Sequence, residues 1–249
     1  MTLQLTVSPD FSPEHIAGWF VFNTWLQRTL GVRCHLELYD DFASQRAAIQ
    51  ADNIDLIFAN PFDAAMLVRE KGFAPLAAPM GSTDEVLVAV AEASPVRRVE
   101  DLKPLVRVAQ TQDPDVNLMG MIMLEPADIG PSHVQPVPTR SYVLVAKSLV
   151  QERAEVGFFL KQAFDDLSVP TRAKLRPLVT SQISVVRHVL LCGPRMQEHV
   201  PVLREALLDM HHPGIDGQRV LEALSLAGWE GQNVEDTEFM IDLMDALMR

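Results

Sequence analysis

The chain has 249 residues, 21 Lys plus Arg against 33 Asp plus Glu, and a formal net charge of −12. That balance excludes a general nucleic-acid binder, which needs a net basic face. The apolar fraction of 48% with 22% charged residues excludes long disorder, and the length suits one large domain or two small lobes.

In chain order, Leu3, Leu5 and Val7 alternate with polar neighbours and predict a half-buried strand. Ser8-Pro9-Asp10 is turn chemistry. Ser12 reads as an N-cap and Pro13 as the first residue of a helix through Trp19, Phe20, Leu26 and Leu30, ended by Gly31. A second alternating strand covers 32–38, and a short helix covers about 42–51. The apolar run 54–59 predicts a buried parallel strand, followed by a helix from Pro61 to Lys71 that stops at Gly72. This alternation points to a parallel α/β sheet. Further strands are expected at 85–90, 106–109, 134–137, 156–160 and 185–191. A loop at 110–117 leads into a helix to Glu125, Ser141 caps a helix to about 152, and the chain beyond Pro194 is expected to be mostly helical, with a break at Pro213-Gly214.

Cys34 and Cys192 are too few for a disulfide framework; one bridge between them is left open. No metal spacing, Gly-rich phosphate loop or nucleophile elbow occurs, so no cofactor and no metal are expected. No apolar run is long enough to cross a bilayer. Without a basic start and apolar stretch at its N-terminus the chain is expected to be cytoplasmic as it stands, and periplasmic if a signal peptide has been removed. Met240, Met244 and Met248 recur every four residues with Ile241, Leu243 and Leu247, an amphipathic helix that packs on its own domain or meets a partner.

Several segments, in this order, resemble the phosphonate/phosphite/phosphate substrate-binding family of ABC transporters. They are LTVSPDFSPE, AIQADNIDLIFANPFDAAMLVREKGFAPLAAP, VEDLKPLVRVAQTQDPD, AEVGFFLKQAFDDL and LRPLVTSQISVVRHVLLCGPRM. The resemblance covers nearly the whole chain. It implies a two-lobed α/β, type II periplasmic-binding-protein fold with two crossing strands as hinge. Lobe one would be 1–82 plus 182–249, and lobe two 83–181. A small ligand, anion or polar metabolite, would be held between the lobes, with an ABC permease as the partner of the transporter version and no membrane insertion.

The resemblance nominates site residues. Ser8 and Asp10 lie in the first strand–helix loop, and Asn60 and Phe62 follow the buried strand. Where the family carries a Ser/Thr anion loop, this chain has Thr111-Gln112-Asp113-Pro114-Asp115-Val116-Asn117. Asp113 either caps a helix or marks a changed ligand preference, because carboxylates there repel a dianion; phosphonate is therefore not the expected ligand. Arg140, Ser141 and Tyr142 fill a region where the family often has a Ser/Thr-His pair. Arg140 either clamps a carboxylate or anion, or neutralises Asp113 or Asp115. Phe158 is nominated beside Gly157, with strand packing as the plainer reading, and His188 reads as a core residue. The leading expectation is a binding protein that does no covalent chemistry. The alternatives are a cytoplasmic enzyme on the same fold acting on a small carboxylate, with Asp10, Asp113 and Asp115 as acid/base groups, and a sensor or interaction domain whose cleft is filled by its own side chains.

Overall fold

The computed structural model describes residues 2–11, 13–212 and 216–247. Ser12 as a cap, the Pro213-Gly214 break and Met248 lie outside the described residues. The elements in chain order are β1 (Thr2–Val7), α1 (Ile16–Leu30), β2 (Arg33–Glu37), α2 (Phe42–Gln50), β3 (Leu56–Ala59), α3 (Pro61–Arg69), β4 (Ala74–Pro79) and β5 (Val86–Ala91). Next come β6 (Val106–Gln110), α4 (Pro114–Ile122), β7 (Val134–Pro138), α5 (Tyr142–Val150), β8 (Val156–Leu160), α6 (Lys161–Asp165), α7 (Val169–Arg172) and β9 (Leu175–Thr180). The last are β10 (Val189–Cys192), α8 (Val200–Asp209), α9 (Gly217–Leu224), β11 (Trp229–Gly231) and α10 (Val234–Leu247). The chain forms two compact units, 1–83 with 187–249, and 84–186.

Unit 1 is built on a six-stranded sheet in the order β11-β4-β10-β3-β1-β2. It is mixed rather than parallel: β1 runs parallel to β2 and β3, whereas β10 and β11 are antiparallel to their neighbours. Strand alternation sends two sets of side chains to two faces. Leu5, Val7, Leu56 and Leu190 meet Trp19, Phe22, Leu207 and Leu221 of α1, α8 and α9, while Ile57, Val189 and Leu191 meet Ile49, Leu67 and Met240 of α2, α3 and α10. Each fully buried Leu or Ile is worth about 1.5–3 kcal/mol. The amphipathic C-terminal helix thus packs on its own unit, and Arg69 of α3 holds it through Glu238, Asp242 and Asp245 at 2.6–2.8 Å. Gly31 ends α1 in the left-handed conformation that glycine tolerates (φ 66°).

Unit 2 carries a five-stranded sheet in the order β7-β6-β8-β5-β9, with β6 parallel to β7 and β8, and β5 antiparallel to β8 and β9. α4 covers the Phe158 face, where a Cβ at Gly120 would fall 2.5 Å from the Phe158 ring. α5 covers the other face, where a Cβ at Gly157 would meet Val145 at 2.7 Å. Phe158, 0% exposed, is therefore a core residue beneath α4, and the strand-packing reading describes its place.

Two strands went unread in the sequence, and two expected boundaries are corrected. The segment 74–79 is a strand despite Pro75 and Pro79; the β10–β4 register shifts between Leu190 and Leu191, beside the pairing with Pro75, so the missing N–H falls at an irregularity. Residues 175–180, also interrupted by a proline, form edge strand β9. The strand expected at 185–191 begins only at Val189, and the helix expected after a loop to Asn117 begins at Pro114. Cys34 and Cys192 are free and buried, and burial, with Asp55 nearby, pushes both thiols up to about 12.

Two measurements check this packing. Gly18 of α1 faces the backbone of Ala223 on α9 so closely that no Cβ fits. Gly18→Ala and Gly120→Ala are each expected to destabilise by about 1–3 kcal/mol in urea melts, although alanine is the better helix former. A thiol reagent is expected to label neither cysteine in the native protein and both after unfolding.

Candidate functional site

In unit 1 the chemistry-bearing residues collect at the carboxyl ends of β1 and β3. Val7 pairs with Phe58, and the Ser8 N–H donates to the Phe58 carbonyl at 2.8 Å, which fixes the loop carrying Asp10. β10 enters antiparallel with Val189 opposite Ala59, so the residue before it, His188, arrives at the same sheet edge. Its Nε2 lies 3.0 Å from Asp10 Oδ2, with the Asp10 side chain 3% exposed and that of His188 11%. The imidazole stacks on the Phe58 ring at 5.1 Å. His188 is thus not a plain core residue of a strand: it forms a buried pair with Asp10.

Asn60 is the N-cap of α3 and its Oδ1 accepts from the Asp63 N–H at 2.7 Å. Its Nδ2, fully buried, has no hydrogen-bond partner among the described residues. Gln45 of α2 donates through Nε2 to the Val7 carbonyl at 2.8 Å and to Thr6 Oγ1 at 3.1 Å, while its buried Oε1 has no partner among them. Asp63 accepts a two-point hydrogen bond from Arg46 at 2.5 and 3.2 Å, and that guanidinium lies over the Phe62 ring at 4.7 Å. Phe62 keeps 39% of its surface exposed. The charges here are compensated in pairs, Asp10 by His188 and Asp63 by Arg46.

In unit 2 the nominated residues gather after β6 and β7. Asp113 caps α4: Oδ1 accepts from the Asp115 and Val116 N–H groups at 3.0 and 3.1 Å, and Oδ2 accepts from the Tyr142 hydroxyl at 2.8 Å. Thr111 Oγ1 accepts from the Asp113 N–H at 3.3 Å, and its carbonyl accepts from Asn117 Nδ2 at 2.9 Å. Ser141 caps α5, its hydroxyl accepting from the Leu144 N–H at 3.4 Å. Tyr142 stacks on Phe159 at 6.2 Å. Arg140 is exposed and forms no ion pair among the described residues, so it does not neutralise Asp113 or Asp115. Glu155 sits at the amino end of β8, paired with Arg107 at 2.6 Å. Among the described residues no cluster of His, Cys, Asp and Glu can hold a metal ion.

Gln45, Arg46, Asp63 and His188 were not nominated from the sequence. Only the helix-cap pattern around Asn60 offered a signal for Asp63; His188 had none, because its position depends on the antiparallel entry of β10.

Burial disfavours the ionised Asp10 carboxylate, but the His188 charge and hydrogen bond, aided by the Ser8 hydroxyl, outweigh it and hold the pKa below the ordinary 3.8. Because the folded value lies below the unfolded one, this stabilisation is complete above about 3.8 and is lost as pH falls through the folded value. Asp63 has the opposite sign: burial outweighs Arg46 and raises it, so stability is lost as pH climbs from 3.8 through the raised folded value. Asp10→Asn is expected to destabilise by about 3–5 kcal/mol near neutral pH. That deficit should shrink toward zero below the folded pKa in urea melts run across pH; a deficit that stays constant with pH would show that the pair does not act as a charge pair.

No curated protein matches the chain. Among solved structures, PhnD1 from Prochlorococcus marinus in complex with methylphosphonate superposes with a TM-score of 0.83 at 13% identity, covering 99% of this chain and 98% of that one. XAC2383 from Xanthomonas citri bound to chloride gives 0.80 at 17%, covering 100% and 98%. A binding protein component of an ABC phosphonate transporter from Pseudomonas aeruginosa gives 0.76 at 14%, covering 100% and 89%. These likenesses show the fold, the two-sheet α/β architecture of type II periplasmic binding proteins. Among the described residues no helix is long and apolar enough to cross a membrane. The family model for the periplasmic substrate-binding protein of phosphonate ABC transporters matches residues 5–237, and the chain belongs to that family.

Proposed function

We propose that this chain binds a small polar ligand and returns it unchanged, as the periplasmic partner of an ABC permease, and that the strand ends of unit 1 supply contacts to it. One observation carries the reading. Asn60 Nδ2 and Gln45 Oε1 are buried at the carboxyl ends of β3 and β1 without partners among the described residues. An unsatisfied buried polar group costs about 1–3 kcal/mol, and a ligand offering one acceptor and one donor recovers it. Family membership and the ligand-bound neighbours support the same reading. The ion pairs of Asp10 and Asp63 argue against an enzyme on this fold, because both carboxylates are already engaged. The self-satisfied Asp113 favours, as a second reading, an interaction domain filled by its own side chains.

A thermal-shift panel separates the two. It contains methylphosphonate, inorganic phosphate, sulfate, MOPS, ATP and amino acids. At least one compound is expected to raise the Tm and to be recovered unchanged by NMR; stabilisation reaches about 2.7 kcal/mol at a hundredfold excess over Kd. Asn60→Ser keeps a hydroxyl cap for α3 but deletes the amide donor. It should leave the unliganded Tm within a few degrees and remove the shift. A Tm that no compound moves favours the interaction domain, and a shift that survives in Asn60→Ser removes Asn60 from the site.

A further inference from the structure

Asp63, in the first turn of α3, is gripped from two sides. Its N–H donates to Asn60 Oδ1 at 2.7 Å, which uses the acceptor of that amide and leaves Nδ2, on a residue 0% exposed, without a partner among the described residues. Its carboxylate accepts from Arg46 Nε and Nη2 at 2.5 and 3.2 Å. The guanidinium also lies over two rings, Phe42 at 5.3 Å and Phe62 at 4.7 Å, so it is held in place. Its fork has N–H donors beyond the two that Asp63 takes. Nη1 has no partner among the described residues, and the Arg46 side chain is 32% exposed. Two unused donors therefore flank one residue, a buried neutral amide and the third nitrogen of a cation. Asp63 balances the guanidinium and His188 balances Asp10, so the field left over is that of the positive end of α3, which suits one negative charge. A planar fork with a spare nitrogen matches the flat geometry of a carboxylate.

We propose that Arg46 is a ligand-binding residue of unit 1: its guanidinium is shared between Asp63 and a carboxylate of the ligand, to which Asn60 Nδ2 also donates. This rests on the binding-protein reading and narrows its ligand to a compound that bears a carboxylate.

Sodium acetate is the probe. It is titrated into the whole isotope-labelled chain and followed by NMR, with sodium chloride at matched ionic strength as the reference. The Arg46 guanidinium and Asn60 Nδ2 resonances are expected to move together along one saturating curve in acetate and to stay in place in chloride. Arg46→Lys keeps a cation for Asp63 and gives up the second nitrogen. It is expected to melt within a few degrees of wild type and to bind acetate at least about tenfold more weakly, read at Asn60 Nδ2. An ion pair with a structural role alone would leave the acetate curve unchanged. The proposal is overturned if acetate moves neither resonance, if chloride moves them as far, or if Arg46→Lys, folded by its melting transition, binds acetate as wild type does. The two readings fail separately. A compound of the thermal-shift panel that stabilises wild type and Arg46→Lys alike defeats this inference and leaves the binding protein standing. A saturating acetate response with no compound of that panel raising the Tm does the reverse.

Discussion

The pair between Asp10 and His188 joins residues 178 positions apart in the chain. It exists because β10 enters the sheet of unit 1 antiparallel, between β3 and β4, so that its first residues reach the edge where β1 and β3 end. A buried carboxylate is tolerated there only because an imidazole faces it, and the imidazole is held in turn by the Phe58 ring. Ser8, Asn60, Gln45 and Asp63 take their positions from the same strand ends. That one antiparallel insertion supplies the imidazole that completes the polar edge of unit 1.

Three further buried carboxylates each have a donor set of their own. Asp63 has Arg46, Asp113 has two backbone N–H groups and Tyr142, and Asp55 has Arg195 at 2.6 Å and the Gln4 N–H at 2.8 Å. Arg140 is the contrast, exposed and outside any ion pair among the described residues. The acidic surplus of the sequence is therefore not a surplus of unsatisfied charge at the strand ends. Among the described residues, one amide atom each of Asn60 and Gln45, both neutral, stands there without a hydrogen-bond partner.

Much of the fold was legible because local chemistry and tertiary demand agreed. Gly31, Pro61 and Ser141 mark helix ends where the sequence places them. The apolar runs of β3, β5 and β8 need no context to read as buried strands. β4 and β9 were hidden because Pro75, Pro79 and Pro177 contradict a strand locally, and their pairing is settled by neighbours distant in sequence. Of the nominated site residues, Ser8, Asp10 and Asn60 do come together, as do Thr111, Asp113, Asn117 and Tyr142. Phe158 went into the core because Gly120 on α4 leaves room for a ring and for nothing else.

The sequence alone determined the class of the molecule, an acidic α/β protein whose caps and apolar periods are written in short local patterns, and the order of segments that marks its family. Local patterns act over a few residues, so they sufficed. The tertiary structure decided which polar atoms are satisfied: that His188 faces Asp10, that Arg46 answers Asp63, that Tyr142 reaches Asp113, and that Asn60 and Gln45 each keep an atom without a partner among the described residues. Those facts depend on strand direction and on which helix covers which face, and neither is encoded within any one segment.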